Sequence, residues 1–273
     1  MSGDCRYVLL PCAGRNADMG PGAPPLTRRK LVVLNPKGGS GKTTLSTNLA
    51  ACFASRGLAT ALIDFDPQGC STRWLDNRPA DRPSIHGIAA YRLNQQMTRS
   101  WQLRTPPETR VLVVDTAAAV PAQKLVEFTR GADGIIVPVG ATDIDIHAAA
   151  GFITDLLVVA KEDRNQGRLA VVANRVRERT VAYGRLMKFL ETLCIPFVTV
   201  LRDSQNYVHA AEWGLGLHEL KPQRVERDLC QWEPLLAWVE RRFQAPRPVQ
   251  RPLVAQADSP SGLRFPFPSL ASS

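Results

Sequence analysis

Six short apolar runs punctuate the chain, each followed by a stretch with helical spacing. The runs are Lys30–Asn35, Thr60–Asp64, Arg110–Asp115, Gly134–Val139, Leu169–Asn174 and Phe197–Leu201. Two of them, Leu31-Val32-Val33-Leu34 and Val111-Leu112-Val113-Val114, contain no polar residue. A strand apolar at every position has both faces covered, which is the mark of a parallel sheet between helical layers. Helical periodicity fills the gaps over Lys42–Arg56, Ala122–Arg130, Ile144–Lys161, Val181–Leu193 and Arg227–Phe243. Strand, crossover helix, strand predicts an α/β fold: a doubly wound, mostly parallel sheet with helices on both faces. Ligands of such sheets sit beyond the carboxyl ends of the strands.

The ends follow a different pattern. Residues 1–29 hold four prolines and several glycines, and read as a flexible leader. Residues 245–273 are so rich in proline that neither a helix nor a central strand can persist, so they read as a disordered tail. The ordered domain is therefore expected over 30–244. No apolar run approaches the roughly 20 residues of a membrane span, and the start lacks the charge and apolar length of a secretory signal. The six cysteines are scattered without a CxxC pair, which argues against a zinc ribbon or iron–sulfur cluster and for reduced thiols in the cytoplasm. The formal net charge of +9 favours a polyanionic partner, whose phosphates release counterions when neutralised.

The first strand runs into Lys37-Gly38-Gly39-Ser40-Gly41-Lys42-Thr43-Thr44, and a helical pattern follows at once. Where the strict pattern G-x-x-x-x-G-K-[ST] asks for its first glycine, the chain has Pro36. The variant that remains still carries the phosphate-binding chemistry. Its glycines let successive backbone N–H groups turn inward around phosphate oxygens, with a helix N-terminus behind them. Lys42 is placed to meet the β and γ phosphates, and Thr43 offers a hydroxyl to Mg²⁺. Asp64 and Asp115 each end a strand. A buried carboxylate at the end of an apolar strand needs a counter-charge, and a magnesium shell supplies one.

With a second lysine at Lys37, the loop resembles the signature K-G-G-x-G-K-[ST]-T of the ParA/MinD family of deviant Walker A ATPases. Other segments are similar to family motifs too. Leu62 to Thr72, with Asp64-Phe65-Asp66-Pro67-Gln68-Gly69, resembles the D-x-D-P-Q-G switch in its ParA wording. Val113-Val114-Asp115-Thr116 resembles the Walker B strand. Val171 to Arg175 resembles the strand whose closing asparagine holds adenine, here Asn174. Leu201 to Gly214 resembles the segment near the base. The resemblance spans about Lys30 to Phe243. It implies an ATP-binding site formed by Lys37, Gly38, Gly39, Ser40, Gly41, Lys42, Thr43, Thr44 and Asn174. It further implies magnesium held by Thr43, Asp64 and Asp115, and an attacking water positioned by Asp66. Lys37 is expected to reach the phosphates of a second subunit, so that ATP closes a homodimer. Two departures bear on the switching segments: Asn35-Pro36 stands where the family has Asn-Gln, and Ala117-Ala118-Ala119 where it has proline.

A slow ATPase of this kind needs an output. The ParA likeness implies an ATP dimer that binds nucleoid DNA without sequence preference. A ParB-like or other adaptor then stimulates hydrolysis, and a cargo is segregated or positioned. Candidate DNA contacts are Arg175, Arg177, Arg179, Arg202, Arg224 and Arg227, with Arg185, Lys188, Arg241 and Arg242 nearby. The leader is too short for a helix-turn-helix domain, which argues against operator binding. Two other outputs share the site. A membrane-cycling regulator of the MinD kind needs a terminal amphipathic helix, and the proline-rich tail does not supply one, so stable membrane insertion is not expected. An accessory ATPase of a secretion or polysaccharide machine is not distinguished by motifs. A metal-cluster carrier of the related type lacks its paired cysteines.

Overall fold

A computed structural model describes residues 28–92, 104–193 and 195–246. The proposed leader and tail lie outside these residues except at their inner edges. Arg29 is already the first residue of a strand, and Ala245 and Pro246 follow the last helix.

Among the described residues seven strands form one sheet: β1 (Arg29–Val33), β2 (Thr60–Asp64), β3 (Ile85–Ala89), β4 (Val111–Asp115), β5 (Gly134–Val139), β6 (Leu169–Val176) and β7 (Phe197–Arg202). They lie in the order β3-β2-β4-β1-β5-β6-β7, and every pairing is parallel. The six predicted strands are all present. The seventh, β3, is an edge strand of sequence IHGIA with neither face fully covered, so it carries no apolar run to find.

Among the described residues seven α-helices flank the sheet: α1 (Lys42–Ser55), α2 (Cys70–Asp76), α3 (Ala122–Thr129), α4 (Asp143–Val158), α5 (Val181–Thr192), α6 (Gln205–Glu212) and α7 (Pro222–Gln244). On one face Leu125, Phe152, Ile153, Leu156 and Leu186 from α3, α4 and α5 meet Val32, Leu34, Ile135 and Val137. On the other, Leu45, Leu49 and Phe53 from α1 and Trp232, Leu235 and Val239 from α7 meet Leu31, Val33, Val113 and Ile136. Alternate residues of β1 thus serve opposite cores, as the pleat requires. Each fully buried Leu, Ile or Val stabilises by roughly 1.5–3 kcal/mol, so the two layers fix the sheet. α7 begins five residues earlier than its periodicity suggests, because Pro222 at its first position needs no hydrogen-bond partner and presets φ.

The register aligns the business ends of the strands. Val33 pairs with Asp115 across β1 and β4, and Asp64 pairs with Asp115 across β2 and β4. Both carboxylates therefore stand side by side at the carboxyl edge, beneath the loop that follows β1.

A candidate nucleotide site at the carboxyl edge of the sheet

The loop between β1 and α1 turns on two left-handed glycines, Gly39 (φ 76°) and Gly41 (φ 91°). Asn35 fixes its entrance: the side-chain amide donates to the Pro138 carbonyl at 2.6 Å, and its oxygen accepts from the Lys37 N–H at 2.7 Å. Pro36 is tied on its carbonyl side, accepting from the Ala119 N–H at 2.8 Å. Asn174 braces the far side by donating to the Ser40 carbonyl at 2.8 Å. Gly41 packs so closely on that amide that a Cβ there would lie 2.0 Å from Asn174 Nδ2. Glycine at 41 is thus demanded twice, by backbone conformation and by space.

Lys42 points into the loop and donates from Nζ to the Lys37 carbonyl at 3.2 Å. Burial lowers its pKa, with Asp115 and Asp66 opposing that drop. Asp115 is fully buried. Its Oδ1 accepts from Ser46 Oγ at 3.3 Å, while Oδ2 has no hydrogen-bond partner. Burial pushes this carboxyl up to about 7, and the neighbouring Asp64 charge adds to the effect against the hydroxyl of Thr43. A buried carboxylate oxygen without a partner, beside a P-loop threonine, is the donor set a cation held partly by phosphate oxygens requires. Among the described residues no cluster of three or more His, Cys, Asp or Glu could hold a metal by itself.

Asp64, expected in the magnesium network, also holds the switch segment. Both its oxygens serve the switch loop: Oδ1 accepts from the Asp66 N–H at 3.0 Å, and Oδ2 from the N–H and hydroxyl of Thr72 at 2.9 and 2.8 Å. It thereby anchors the segment that carries Asp66. Asp66 is half-buried, and its Oδ1 accepts from the Gln68 N–H at 3.0 Å. Beside Thr43 and Thr44 opens a cleft of about 280 Å³, walled by Thr47 and Asn48 of α1, Arg73 and Trp74 of α2, and Tyr207 of α6.

Lys37 stands at the mouth of this site, half-buried, and its ammonium contacts Asp145 in the first turn of α4. Asp145 also completes the capping box of that helix with Thr142. Burial works against the Asp145 charge, but the hydrogen bonds from Lys37 and Thr142 outweigh it and hold the carboxyl below its ordinary range.

Residues 31–217, from β1 through the segment after α6, match the CobQ/CobB/MinD/ParA nucleotide binding domain. The chain belongs to that family. It is 28% identical over 193 residues to a maintenance of carboxysome distribution protein A from Halothiobacillus neapolitanus, a match covering 70% of this chain and 87% of the relative. Its fold is similar to that of a plasmid partition protein from Borrelia burgdorferi bound to AMPPNP, with a TM-score of 0.59 at 14% identity, over 77% of this chain and 99% of that one. The ATP complex of an McdA from Cyanothece aligns with a TM-score of 0.57 at 16% identity, over 82% and 99%.

Two groups of predicted site residues have partners within the chain. Asn174, the expected adenine contact, donates one amide hydrogen to the Ser40 carbonyl and so also braces the phosphate loop. Of the six candidate DNA arginines, Arg177, Arg202 and Arg227 are in ion pairs and Arg175 and Arg224 bond neutral groups. Arg202 is held by the fully buried Asp228, at 2.5 Å from Nε and 3.1 Å from Nη2, and is a structural cation. Arg177 bonds Asp203, Arg227 bonds Glu178, and Arg185 bonds Asp143. Arg224 leans on Asn206, and Arg175, left-handed at φ 54°, donates to the Gly39 carbonyl at 3.3 Å. Sequence reasoning missed the Lys37–Asp145 contact. Thr142 and Asp145, spaced as a capping box, were the available signal, but nothing in their spacing tells which cation they face.

Proposed function

We propose that the protein is a Mg²⁺-dependent ATPase switch of the ParA kind. ATP closes two copies face to face, the dimer binds DNA without sequence preference, and a partner protein stimulates hydrolysis so that a cargo is segregated or positioned. The carrying observation is the buried, partnerless Asp115 Oδ2 at the foot of a glycine loop bearing Lys42 and Thr43. Lys42 meets the terminal phosphates. Thr43 and Asp115 would hold the magnesium, which neutralises developing charge on the phosphoryl group when bound. Asp66, held in place by its own loop, orients water toward the γ-phosphorus. Lys37 lies five residues before Lys42, at the exposed mouth, where it can turn from Asp145 to a second copy's phosphates. The likeness to a carboxysome distribution protein supports a protein body as one class of cargo.

The test separates binding from turnover. Lys42→Ala loses ATP binding in equilibrium dialysis. Asp66→Ala keeps nucleotide-dependent self-association and retardation of duplex DNA but stops phosphate release. Undiminished turnover in Asp66→Ala removes that residue from the chemistry, and a wild-type protein that stays monomeric with saturating Mg²⁺-ATP refutes the switch.

A further inference from the structure

Three hydroxyls surround the Asp115 carboxylate, and they come from two different helices. Thr43 stands at the start of α1, and Ser46, one turn along it, donates to Asp115 Oδ1 at 3.3 Å. The third is Ser71, fully buried in the first turn of α2. Its hydroxyl, like that of Thr43, faces the Asp115 carboxyl and favours its charged form. Yet Ser71 Oγ makes no hydrogen bond, and neither does Asp115 Oδ2. A hydroxyl withdrawn from water and left unbonded destabilises a fold, and alanine suits a helix better than serine. Packing therefore gives no reason for a serine at this position.

The place of Ser71 is fixed from both sides. Before it, Gly69 turns left-handed at φ 63° and packs on Tyr91, where a Cβ would come within 2.6 Å of the phenol oxygen. After it, Thr72 gives its N–H and hydroxyl to Asp64 Oδ2, and Asp64 is the register neighbour of Asp115. The other Asp64 oxygen holds the Asp66 N–H. Ser71 thus belongs to the short segment that carries Asp66, and whatever engages its hydroxyl also steadies that segment. We propose that Ser71 is a positioning residue for the magnesium: with Asp115 Oδ2, its hydroxyl holds the water around the cation and so ties the switch segment to cation binding. The inference rests on the Mg²⁺-nucleotide reading above and adds the group through which the switch senses the metal. Magnesium suits this arrangement, because it dehydrates reluctantly and keeps several waters that need acceptors around them. A serine oxygen and a carboxylate oxygen both accept from such water, and outer partners of this kind orient the groups that hold a metal.

The full chain and its Ser71→Ala variant are compared with ADP bound, so that no turnover intervenes. Mn²⁺ is titrated into each ADP complex and followed by the EPR signal of the free ion. The variant loses about tenfold in Mn²⁺ affinity, the scale of a lost outer partner of a metal. In EDTA, a fluorescent ADP binds both proteins equally, which certifies the fold of the variant. Without nucleotide, Ser71→Ala melts no lower than wild type, because the hydroxyl removed bonded nothing. Hydrogen exchange reads the switch: adding Mg²⁺ to the ADP complex protects the amides of residues 66–72 in wild type and leaves them unchanged in Ser71→Ala. Wild-type Mn²⁺ affinity in the variant, or Mg²⁺-induced protection that survives the substitution, overturns the assignment. Weaker ADP binding in EDTA together with a lower melting temperature marks Ser71 as structural and overturns it equally. If wild type itself binds Mn²⁺ no more tightly with ADP than without, the Mg²⁺-nucleotide reading fails, whatever Ser71 does.

Discussion

In the isolated chain the anion against Lys37 is Asp145, and that pairing has a consequence for assembly. A lysine held at home cannot at the same time serve a second copy's phosphates. Replacing Asp145 by Asn removes the charge while leaving an amide able to cap α4 through Thr142. A partly exposed ion pair contributes about 1 kcal/mol, so Mg²⁺-ATP-driven self-association should tighten several-fold in Asp145→Asn. Sedimentation velocity across a protein concentration series reads this, and an unchanged midpoint would show that the pair sets no threshold. His218 offers a second check at this scale. Its ring is packed edge-on against Trp232 with Nδ1 partnerless, and burial drives its pKa from near 6.5 to about 4. The folded state refuses a proton that the unfolded chain accepts. Stability is therefore fully present above about pH 6.5 and falls as pH drops toward 4. His218→Gln should flatten that part of the urea midpoint against pH profile, and an identical profile would clear the histidine of the effect.

Among the elements, the loop after β4 is strained where the sequence departs from the family pattern. Ala119 sits at φ 55°, a region that costs a non-glycine residue roughly 1 kcal/mol, and its N–H is the donor that reaches the Pro36 carbonyl. Ala119→Gly keeps the bond and relieves the strain. Thermal unfolding should rise by about 2–4 °C, the shift expected of 1 kcal/mol in a domain of this size. A fall instead would show that the alanine methyl is packed and needed. The same element shows what a single sequence can reveal. Apolar runs exposed six strands, and a glycine-lysine-threonine loop exposed the phosphate site, because both are local and periodic. β3 and α2 escaped because an edge strand with His86 and Gly87, and a seven-residue helix, bury too little to impose a period. Asn174 was legible as a site residue, but its bond to the loop was not. Its partner, the Ser40 carbonyl, is a backbone group 134 residues away, and no side-chain pattern announces a backbone acceptor.

At the scale of the molecule, one buried charge ties the last strand to the last two helices. Asp228 of α7 receives Arg202 of β7, the Ser204 hydroxyl at 3.2 Å and the Asn206 amide at 2.6 Å. Ser204 is also the N-cap of α6, whose Tyr207 walls the cleft beside Thr43 and accepts from Trp232 of α7 at 2.8 Å. The position of that wall thus depends on a carboxylate with no solvent exposure. Breaking a buried pair by removing one partner costs about 3–5 kcal/mol, less here because Arg202 keeps 29% of its side chain in solvent. Asp228→Asn should lower Tm by about 5–10 °C at unchanged net folding cooperativity. Changing Arg202 to Glu would set two carboxylates against each other, so any loss of DNA binding in that variant would report unfolding of this corner and not a lost phosphate contact. The double change Arg202→Met with Asp228→Leu distinguishes the two. It removes both charges, should recover most of the Tm lost by Asp228→Asn, and should bind DNA like wild type. Recovery of stability with DNA binding still abolished would return Arg202 to the interface, and with it the carboxyl edge.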